Sequence, residues 1–238
     1  MKLYFVGIGG IGMSALVRYF LSKGDDVAGY DLTPSPLTKA LTEEGALIHY
    51  EDDPELIPEP FRSPDTLVVF TPAVPRDHRE LNFFIHQGNR VIKRAELLGD
   101  LTRRERGLCV AGTHGKTTTS TLLAHLLRSS HVDCHAFLGG ISNNYQTNCL
   151  ISEKSDYAVI EADEFDRSFH HLSPYIAVIT SADPDHLDIY HTVEAYRESF
   201  EHFTSLISSE GALVMKKGIP VTPRLKEGTR LFTYTTGD

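Results

Sequence analysis

The stretch GLCVAGTHGKTTT, residues 107–119, decides the fold because it joins a strand to a helix through a glycine-rich turn. An apolar strand is predicted at Gly107–Ala111, and a helix is predicted from Lys116 to about Arg128. Glycines at such a turn let backbone N–H groups converge on phosphate oxygens, and the helix N-terminus adds a partial positive charge. The alternative is a plain strand-to-helix turn, but the Gly-Lys-Thr sequence in this position favours phosphate binding.

The turn matches a phosphate-binding loop for Mg-ATP at most positions. Lys116 would reach the terminal phosphates, and Thr117 would offer its hydroxyl to Mg²⁺. The general pattern has a glycine where Val110 stands, so the match is incomplete. The predicted ATP-binding residues are Gly112, Thr113, His114, Gly115, Lys116, Thr117 and Thr118.

A carboxylate that completes magnesium coordination is expected at the end of a neighbouring parallel strand. Glu161 lies at the end of the predicted strand Tyr157–Ala162, and further acidic residues follow as far as Asp166. The alternative for this segment is a solvated acidic loop. The strand placement favours Glu161 as the carboxylate that binds Mg²⁺ together with Thr117.

A third candidate site is the segment DPDHLD, residues 183–188, which follows another predicted strand. Neutral imidazole binds metals well, so His186 is a candidate ligand for a second divalent ion, and Asp188 is placed to orient it. The chain contains 12 histidines, and any one of them is more often a surface or core residue than a ligand. The spacing alone leaves both interpretations of His186 open.

The N-terminal stretch GIGGIG, residues 7–12, follows a predicted strand, and Asp31 ends the next strand roughly 20 residues later. This arrangement is typical of a site where backbone approaches a diphosphate and an acid holds a ribose hydroxyl. It indicates a diphosphate more firmly than it indicates NAD. Two alternatives stay open, a tight turn that needs glycine for packing and a nicotinamide-dependent dehydrogenase.

Strands and helices alternate along the chain, which predicts an α/β fold with parallel sheets covered by helices. The charged stretch at 102–106 separates two such series, so we predict a Rossmann-like domain at 1–105 and a P-loop ATPase-type domain at 106–238. The predicted strands are Lys2–Val6, Val27–Asp31, Leu67–Thr71, Arg90–Ile92, Gly107–Ala111, Tyr157–Ala162, Tyr175–Thr180, Ala212–Met215 and Leu231–Tyr234. The predicted helices are Ile11–Lys23, Pro36–Glu44, Arg79–Gln87, Ala95–Arg103, Lys116–Arg128 and Thr192–Ile207.

The composition excludes several classes of protein. The 238 residues carry a formal net charge of −9, which disfavours nucleic acid as a partner. No apolar run approaches the roughly 18 residues that span a bilayer, so we expect no membrane segment and a cytoplasmic location. Cys109, Cys134 and Cys149 lack CxxC spacing and are predicted to be buried thiols rather than disulfides or zinc ligands. The oligomeric state is left open.

Six motifs in order resemble those of the Mur ligase family of peptidoglycan synthesis, over essentially the whole chain. They are GIGGIGMS at 7–14, TPAVP at 71–75, RAE at 94–96, GTHGKTTT at 112–119, EADEFDRSFHHLSP at 161–174 and DHLDIY at 185–190. The resemblance implies a UDP-substrate site formed by Gly9, Gly10, Ile11, Gly12, Asp31, Thr71, Pro72 and Ala73. It also implies that Lys116, Glu161 and His186 are catalytic, that Thr117 and Glu161 bind one Mg²⁺, and that His186 binds a second metal ion.

Within the family, the sequence is most similar to the branch that joins L-alanine to the lactyl carboxylate of UDP-N-acetylmuramate through an acyl phosphate, with ATP and Mg²⁺. A murein-tripeptide-recycling ligase acting on the same UDP-sugar is the alternative inside the family. A nicotinamide-dependent dehydrogenase and a nucleotide-binding module without ligase activity are alternatives of other classes. Family members carry a third, C-terminal domain with no counterpart here, so we expect a fragment whose ATP-binding domain is truncated and which is incomplete for turnover.

Overall fold

The computed structural model describes residues 1–185 and 187–235. The chain divides into two compact units, unit 1 (Met1–Leu97) and unit 2 (Leu98–Asp238), and each contains its own β-sheet. A helix, Arg94–Arg104, runs across the point of division. The sequence predicted two domains with a boundary near residue 105, and that position stays a prediction.

Unit 1 contains a five-stranded parallel sheet with the strand order β3-β2-β1-β4-β5. The strands are β1 (Lys2–Val6), β2 (Asp26–Tyr30), β3 (Leu47–His49), β4 (Leu67–Phe70) and β5 (Val91–Lys93). The helices are α1 (Ile11–Ser22), α2 (Pro36–Glu43), α3 (Arg79–Gln87) and α4 (Arg94–Arg104), and short 3₁₀ helices span Pro54–Leu56 and Glu59–Phe61. The sequence predicted each of these strands and α-helices except β3, whose 3 residues are too few to show a periodic pattern.

The centre of this sheet is β1, whose residues 3–6 are fully buried. A strand covered on both faces needs apolar side chains at successive positions rather than in alternation, and the run LYFV supplies them. Parallel strands all end at one edge of their sheet, and β1 lies between β2 and β4, where the strand order reverses. The loops that follow these three strands therefore meet at the position where such sheets bind ligands.

Unit 2 contains a seven-stranded sheet with the order β12-β11-β10-β6-β9-β7-β8. The strands are β6 (Arg106–Ala111), β7 (His135–Ser142), β8 (Thr147–Leu150), β9 (Tyr157–Ala162), β10 (Ile176–Ile179), β11 (Ala212–Lys216) and β12 (Arg230–Tyr234). The helices are α5 (Lys116–Arg128), α6 (Leu187–Tyr190) and α7 (Val193–Ser205), and a 3₁₀ segment spans Phe165–His171. Because β6 lies between β9 and β10 and pairs with both in parallel, the turn after β6 lies between two other strand ends.

An antiparallel hairpin of β7 and β8 forms one edge of this sheet, and the sequence did not predict it. Gly139 and Gly140 lie inside β7, and the register of the hairpin shifts between Phe137 and Ser142. Glycine contributes no side chain to either face of a strand, so it interrupts the alternation by which strands are recognised.

Helix α7 lies within the span in which apolar residues at three-to-four residue spacing predicted an amphipathic helix, and its large apolar side chains are buried. Tyr196, Phe200 and Phe203 are fully buried. The ring of Phe169 packs against Phe200 and Phe203, with ring centroids 5.2 Å and 4.9 Å apart. These contacts fix α7 against the segment that follows β9.

The cysteines also agree with the sequence prediction, because all three are buried and none forms a disulfide in the described part of the chain. Burial raises the pKa of the Cys134 thiol to about 12, so this group stays protonated and unreactive. Across residues 1–185 and 187–235, no helix combines the length and the apolar character needed to cross a membrane.

Candidate functional site

The candidate site of unit 2 is the turn between β6 and α5, where the sequence predicted phosphate binding. Gly112 and Gly115 have φ angles of 138° and 82°, a conformation that favours glycine. A Cβ at Gly112 would lie 2.2 Å from Thr180 Oγ1, so close packing at the end of β10 also requires glycine there. Gly115 precedes α5, whose first turn contains no acidic residue. The turn therefore presents a helix N-terminus whose partial positive charge favours an anion.

Side chains that follow β10 or lie on α7 hold this turn in place. His114 N donates to Ser181 Oγ at 2.9 Å, and Thr180 Oγ1 donates to His114 O at 2.6 Å. Thr113 Oγ1 donates to a backbone carbonyl oxygen at 2.7 Å, so in its 2.8 Å contact with Tyr196 the tyrosine hydroxyl donates. Burial raises the pKa of Tyr196, which keeps that hydroxyl protonated. A turn held in this way loses little conformational entropy when a ligand binds.

Glu161 lies near the end of β9, and its carboxylate reaches the start of α5. Thr117 Oγ1 donates to Glu161 Oε2 at 3.1 Å. Ser120 Oγ and Gly139 N donate to Glu161 Oε1 at 3.0 Å and 2.7 Å. The structure thus brings together the hydroxyl and the carboxylate that the sequence predicted as Mg²⁺ ligands. Both are hard oxygen donors, and Mg²⁺ is usually bound by one or two such protein groups, so these residues fit the ion.

Lys116 begins α5, and its ammonium group lies beside the turn. Nζ donates to Gly112 O at 2.8 Å and to Glu164 Oε1 and Oε2 at 3.0 Å and 2.8 Å. The side chain of Glu164 is 1% exposed and that of Lys116 is 19% exposed. The sequence predicted a phosphate contact for Lys116 but gave no sign of this ion pair, because its partners are 48 positions apart in the chain.

Ser120 and Gly139 are site residues that the sequence did not predict. Ser120 lies three positions after Thr117, so helical spacing places both on one face and is the signal that identifies it. Gly139 reaches the site only because β7 pairs with β9, and it has no local signal. A Cβ at Gly139 would lie 2.4 Å from Glu161 Oε2, so a larger residue here would require the carboxylate to move.

Thr118 and His186 are the two other residues of unit 2 that the sequence predicted as site residues. Thr118 is exposed and, with Thr117, lines a pocket of about 360 Å³ that Asn143 and Asn144 also line. His186 lies outside the described residues, so a second divalent ion there stays a prediction. Among the residues that the structure describes, no group of three or more His, Cys, Asp or Glu side chains is arranged to hold a metal.

In unit 1, the glycine loop after β1 lies against the residues that follow β2 and β4. Gly9 N donates to Asp31 Oδ2 at 2.7 Å. A Cβ at Gly7 would lie 2.7 Å from Thr71 Cγ2. The structure therefore brings together the three segments predicted to bind UDP. The exposed members of this predicted set are Gly10, Ile11, Pro72 and Ala73.

The N-terminus of α1 has the features of an anion-binding end. Gly10 is its N-cap and provides no side-chain hydrogen bond, and the first turn contains no acidic residue. A Cβ at Gly12 would lie 2.5 Å from Arg94 Nη1, so a guanidinium group lies beside this turn. The sequence did not predict Arg94 as a site residue. A helix N-terminus with a neighbouring guanidinium favours a phosphate or diphosphate.

The sequence matches two family profiles. Residues 2–106 match the Mur ligase family, catalytic domain, and residues 110–237 match the Mur ligase middle domain. The chain is 67% identical over 238 residues to a UDP-N-acetylmuramate–L-alanine ligase of Porphyromonas gingivalis. The matched region covers 100% of this chain and 52% of that protein. The chain thus spans about half the length of the curated relatives it matches.

Solved structures agree with these matches. A UDP-N-acetylmuramate–alanine ligase from Thermotoga maritima has a TM-score of 0.84 and 30% identity, and the similarity covers 100% of this chain and 53% of that one. A UDP-N-acetylmuramate:L-alanyl-γ-D-glutamyl-meso-diaminopimelate ligase from Neisseria meningitides has a TM-score of 0.83 and 25% identity, covering 92% and 72%. The comparisons confirm the predicted fold class, in which a Rossmann-like unit precedes a P-loop-type α/β unit.

Proposed function

The chain belongs to the Mur ligase family, and we propose that it forms part of a ligase that joins L-alanine to UDP-N-acetylmuramate and converts ATP to ADP and phosphate. The observation that carries this proposal is the convergence of Lys116, Thr117 and Glu161 beside the phosphate-binding turn. L-alanine is favoured over a tripeptide because relatives that are 67%, 68% and 64% identical to this chain are named for L-alanine.

In the proposed reaction, an oxygen of the lactyl carboxylate attacks the γ-phosphorus of ATP, and the bond between that phosphorus and ADP breaks. The amine nitrogen of L-alanine then attacks the acyl carbon, an amide bond forms and phosphate leaves. The nucleophile of the first step and its target are both anionic, so the step depends on positive charge at the site. Lys116 would supply positive charge, and Mg²⁺ held by Thr117 and Glu161 would neutralise phosphate oxygens and align the reactants.

The UDP part of the substrate is assigned to unit 1 in this proposal. The backbone of Gly9, Gly10, Ile11 and Gly12 and the N-terminus of α1 would bind the diphosphate. Asp31 would lie near the ribose or uracil, and the turn at 71–73 would close the other side. The proposal also includes a second divalent ion at His186, and a location in the cytoplasm.

Thermal unfolding of the 238-residue chain tests both sites, because a ligand that binds only the folded state raises the midpoint. UDP-N-acetylmuramate and Mg-ATP, added separately, should each raise it, and NAD should not. Lys116→Ala should abolish the rise in midpoint caused by Mg-ATP and keep the rise caused by the UDP-sugar. The response to the UDP-sugar then shows that the variant is still folded. A rise with NAD and none with the UDP-sugar would contradict the proposal and support a dehydrogenase.

An assay of the full-length protein identifies which amine is the substrate. ATP-dependent phosphate release with L-alanine, and not with the tripeptide L-alanyl-γ-D-glutamyl-meso-diaminopimelate, is expected. Release with the tripeptide alone would identify a recycling ligase. Release with neither amine would leave a nucleotide-binding module.

A further inference from the structure

The ammonium group of Lys116 is fully engaged by the protein itself. An ammonium has three N–H donors, and the structure shows three acceptors within 3.0 Å of Nζ: Gly112 O and both carboxylate oxygens of Glu164. A nucleotide phosphate that approaches Lys116 therefore meets a lysine already neutralised by a carboxylate. The phosphate contact requires that at least one of these hydrogen bonds breaks.

Glu164 is the less movable partner of the pair. Its backbone carbonyl accepts hydrogen bonds from Tyr190 OH and from Arg167 N, and Tyr190 is itself 1% exposed. Ser199 Oγ donates to the Tyr190 hydroxyl at 3.3 Å, which ties this anchor to α7. Lys116 has a longer, flexible side chain and is more exposed. The hydrogen bonds from Tyr190 and Arg167 hold the backbone of Glu164, so separation of the pair by movement of the lysine would leave the carboxylate in its buried position.

We propose that Glu164 is an internal counter-anion for Lys116. Its carboxylate binds the lysine when no nucleotide is present and competes with the nucleotide phosphate for it. This inference rests on the proposed ATP site. In the empty site, the carboxylate balances the lysine and keeps it at the turn. In the loaded site, the phosphates take the lysine and leave a buried carboxylate without its cation, which is unfavourable. The exchange lowers the affinity for nucleotide, and a divalent cation that enters with the nucleotide relieves part of this cost because it restores positive charge.

Substitution Glu164→Gln tests the competition, since glutamine keeps the shape and removes the negative charge. The probe is the non-hydrolysable ATP analogue AMP-PNP, titrated calorimetrically into the 238-residue chain with and without Mg²⁺. We expect the variant to bind metal-free AMP-PNP about tenfold more tightly than the wild type, equivalent to about 1.4 kcal/mol. The gain should be smaller with Mg²⁺.

Asp166→Asn is the matched control, because it removes the same charge from an exposed side chain two positions away. Asparagine also tolerates the positive φ of 52° at this position. It should leave both affinities within about twofold of the wild type, as expected for an exposed charge. Glu164→Asp, which keeps the charge, should not gain affinity and serves as the second variant if the glutamine variant fails to fold.

Equal or weaker binding by Glu164→Gln without Mg²⁺, while the wild type binds Mg-AMP-PNP, would overturn the counter-anion inference alone. A loss of the same size with and without Mg²⁺ would show that Glu164 only supports the fold. If the wild type binds no AMP-PNP under either condition while UDP-N-acetylmuramate still stabilises it, the proposed ATP site fails, and this inference with it.

Discussion

Glu80 is a buried carboxyl group in unit 1 with polar partners from several segments. Tyr4 OH donates to Oε2 at 2.6 Å, Asp53 N donates to Oε1 at 3.2 Å, and His49 Nε2 lies 3.3 Å from Oε1. Burial raises the pKa of Glu80 from 4.5 to about 7, and the neighbouring Asp52 adds to this. Between these values the folded state holds a proton that the unfolded chain has lost. Stability from this group is therefore lost as pH rises through that window.

We predict that Glu80→Gln removes this pH dependence, because glutamine does not ionise. From about pH 5 to pH 8, the unfolding free energy of the variant relative to wild type should rise by on the order of 3 kcal/mol. Urea unfolding followed by tyrosine fluorescence at several pH values measures the difference. Burial lowers the pKa of His49 and His78, which adds a slope of opposite sign in both proteins, and the comparison isolates the part that depends on Glu80. A difference that stays constant with pH would contradict the prediction.

At the scale of elements, the site in unit 2 depends on the register of β9 between its two neighbours. β9 pairs in parallel with β6 and with β7, with Val110 opposite Glu161 and Phe137 opposite Ile160. This register places the Glu161 carboxylate against the backbone of Gly139 and next to the first turn of α5. The carboxylate position is thus set by the register of β9 against β6 and β7.

Gly139→Ala is predicted to displace that carboxylate, because the added Cβ would lie 2.4 Å from Glu161 Oε2. We expect the affinity for Mg-ADP to fall about tenfold or more, as for other changes around a metal ligand, with the far-UV circular dichroism spectrum retained. Gly140→Ala is the control, since its Cβ would lie 3.7 Å from Thr117 Cγ2, an ordinary contact. An equal loss in both variants would indicate a general disturbance of β7 and would count against the specific role of Gly139.

At the scale of the whole molecule, the two units have separate sheets and separate buried cores. Each sheet also presents its own glycine turn at a helix N-terminus, α1 in unit 1 and α5 in unit 2. The proposed function therefore assigns two ligands with phosphate groups to distinct sites within one chain.

Hydrogen–deuterium exchange should separate these two sites. UDP-N-acetylmuramate is predicted to slow exchange of backbone amides at 7–14 and 71–74, and Mg-ADP to slow it at 112–120 and 161–164. Protection follows because bound phosphate accepts hydrogen bonds from the amides of each turn. Protection of the second pair of segments by the UDP-sugar alone would contradict the assignment of one ligand to each unit.

The sequence by itself determined the elements and turns whose signals are local. The spans of β1, α3, α5 and β9 agree with the predicted spans, because apolar runs, helical spacing and glycine turns are all read within a few residues. Only the tertiary structure decided that Glu164 holds Lys116, that Gly139 accommodates Glu161, and that Glu80 is buried beside Tyr4. Each of these contacts depends on strand order and register, which join residues far apart in the chain and leave no pattern around either partner.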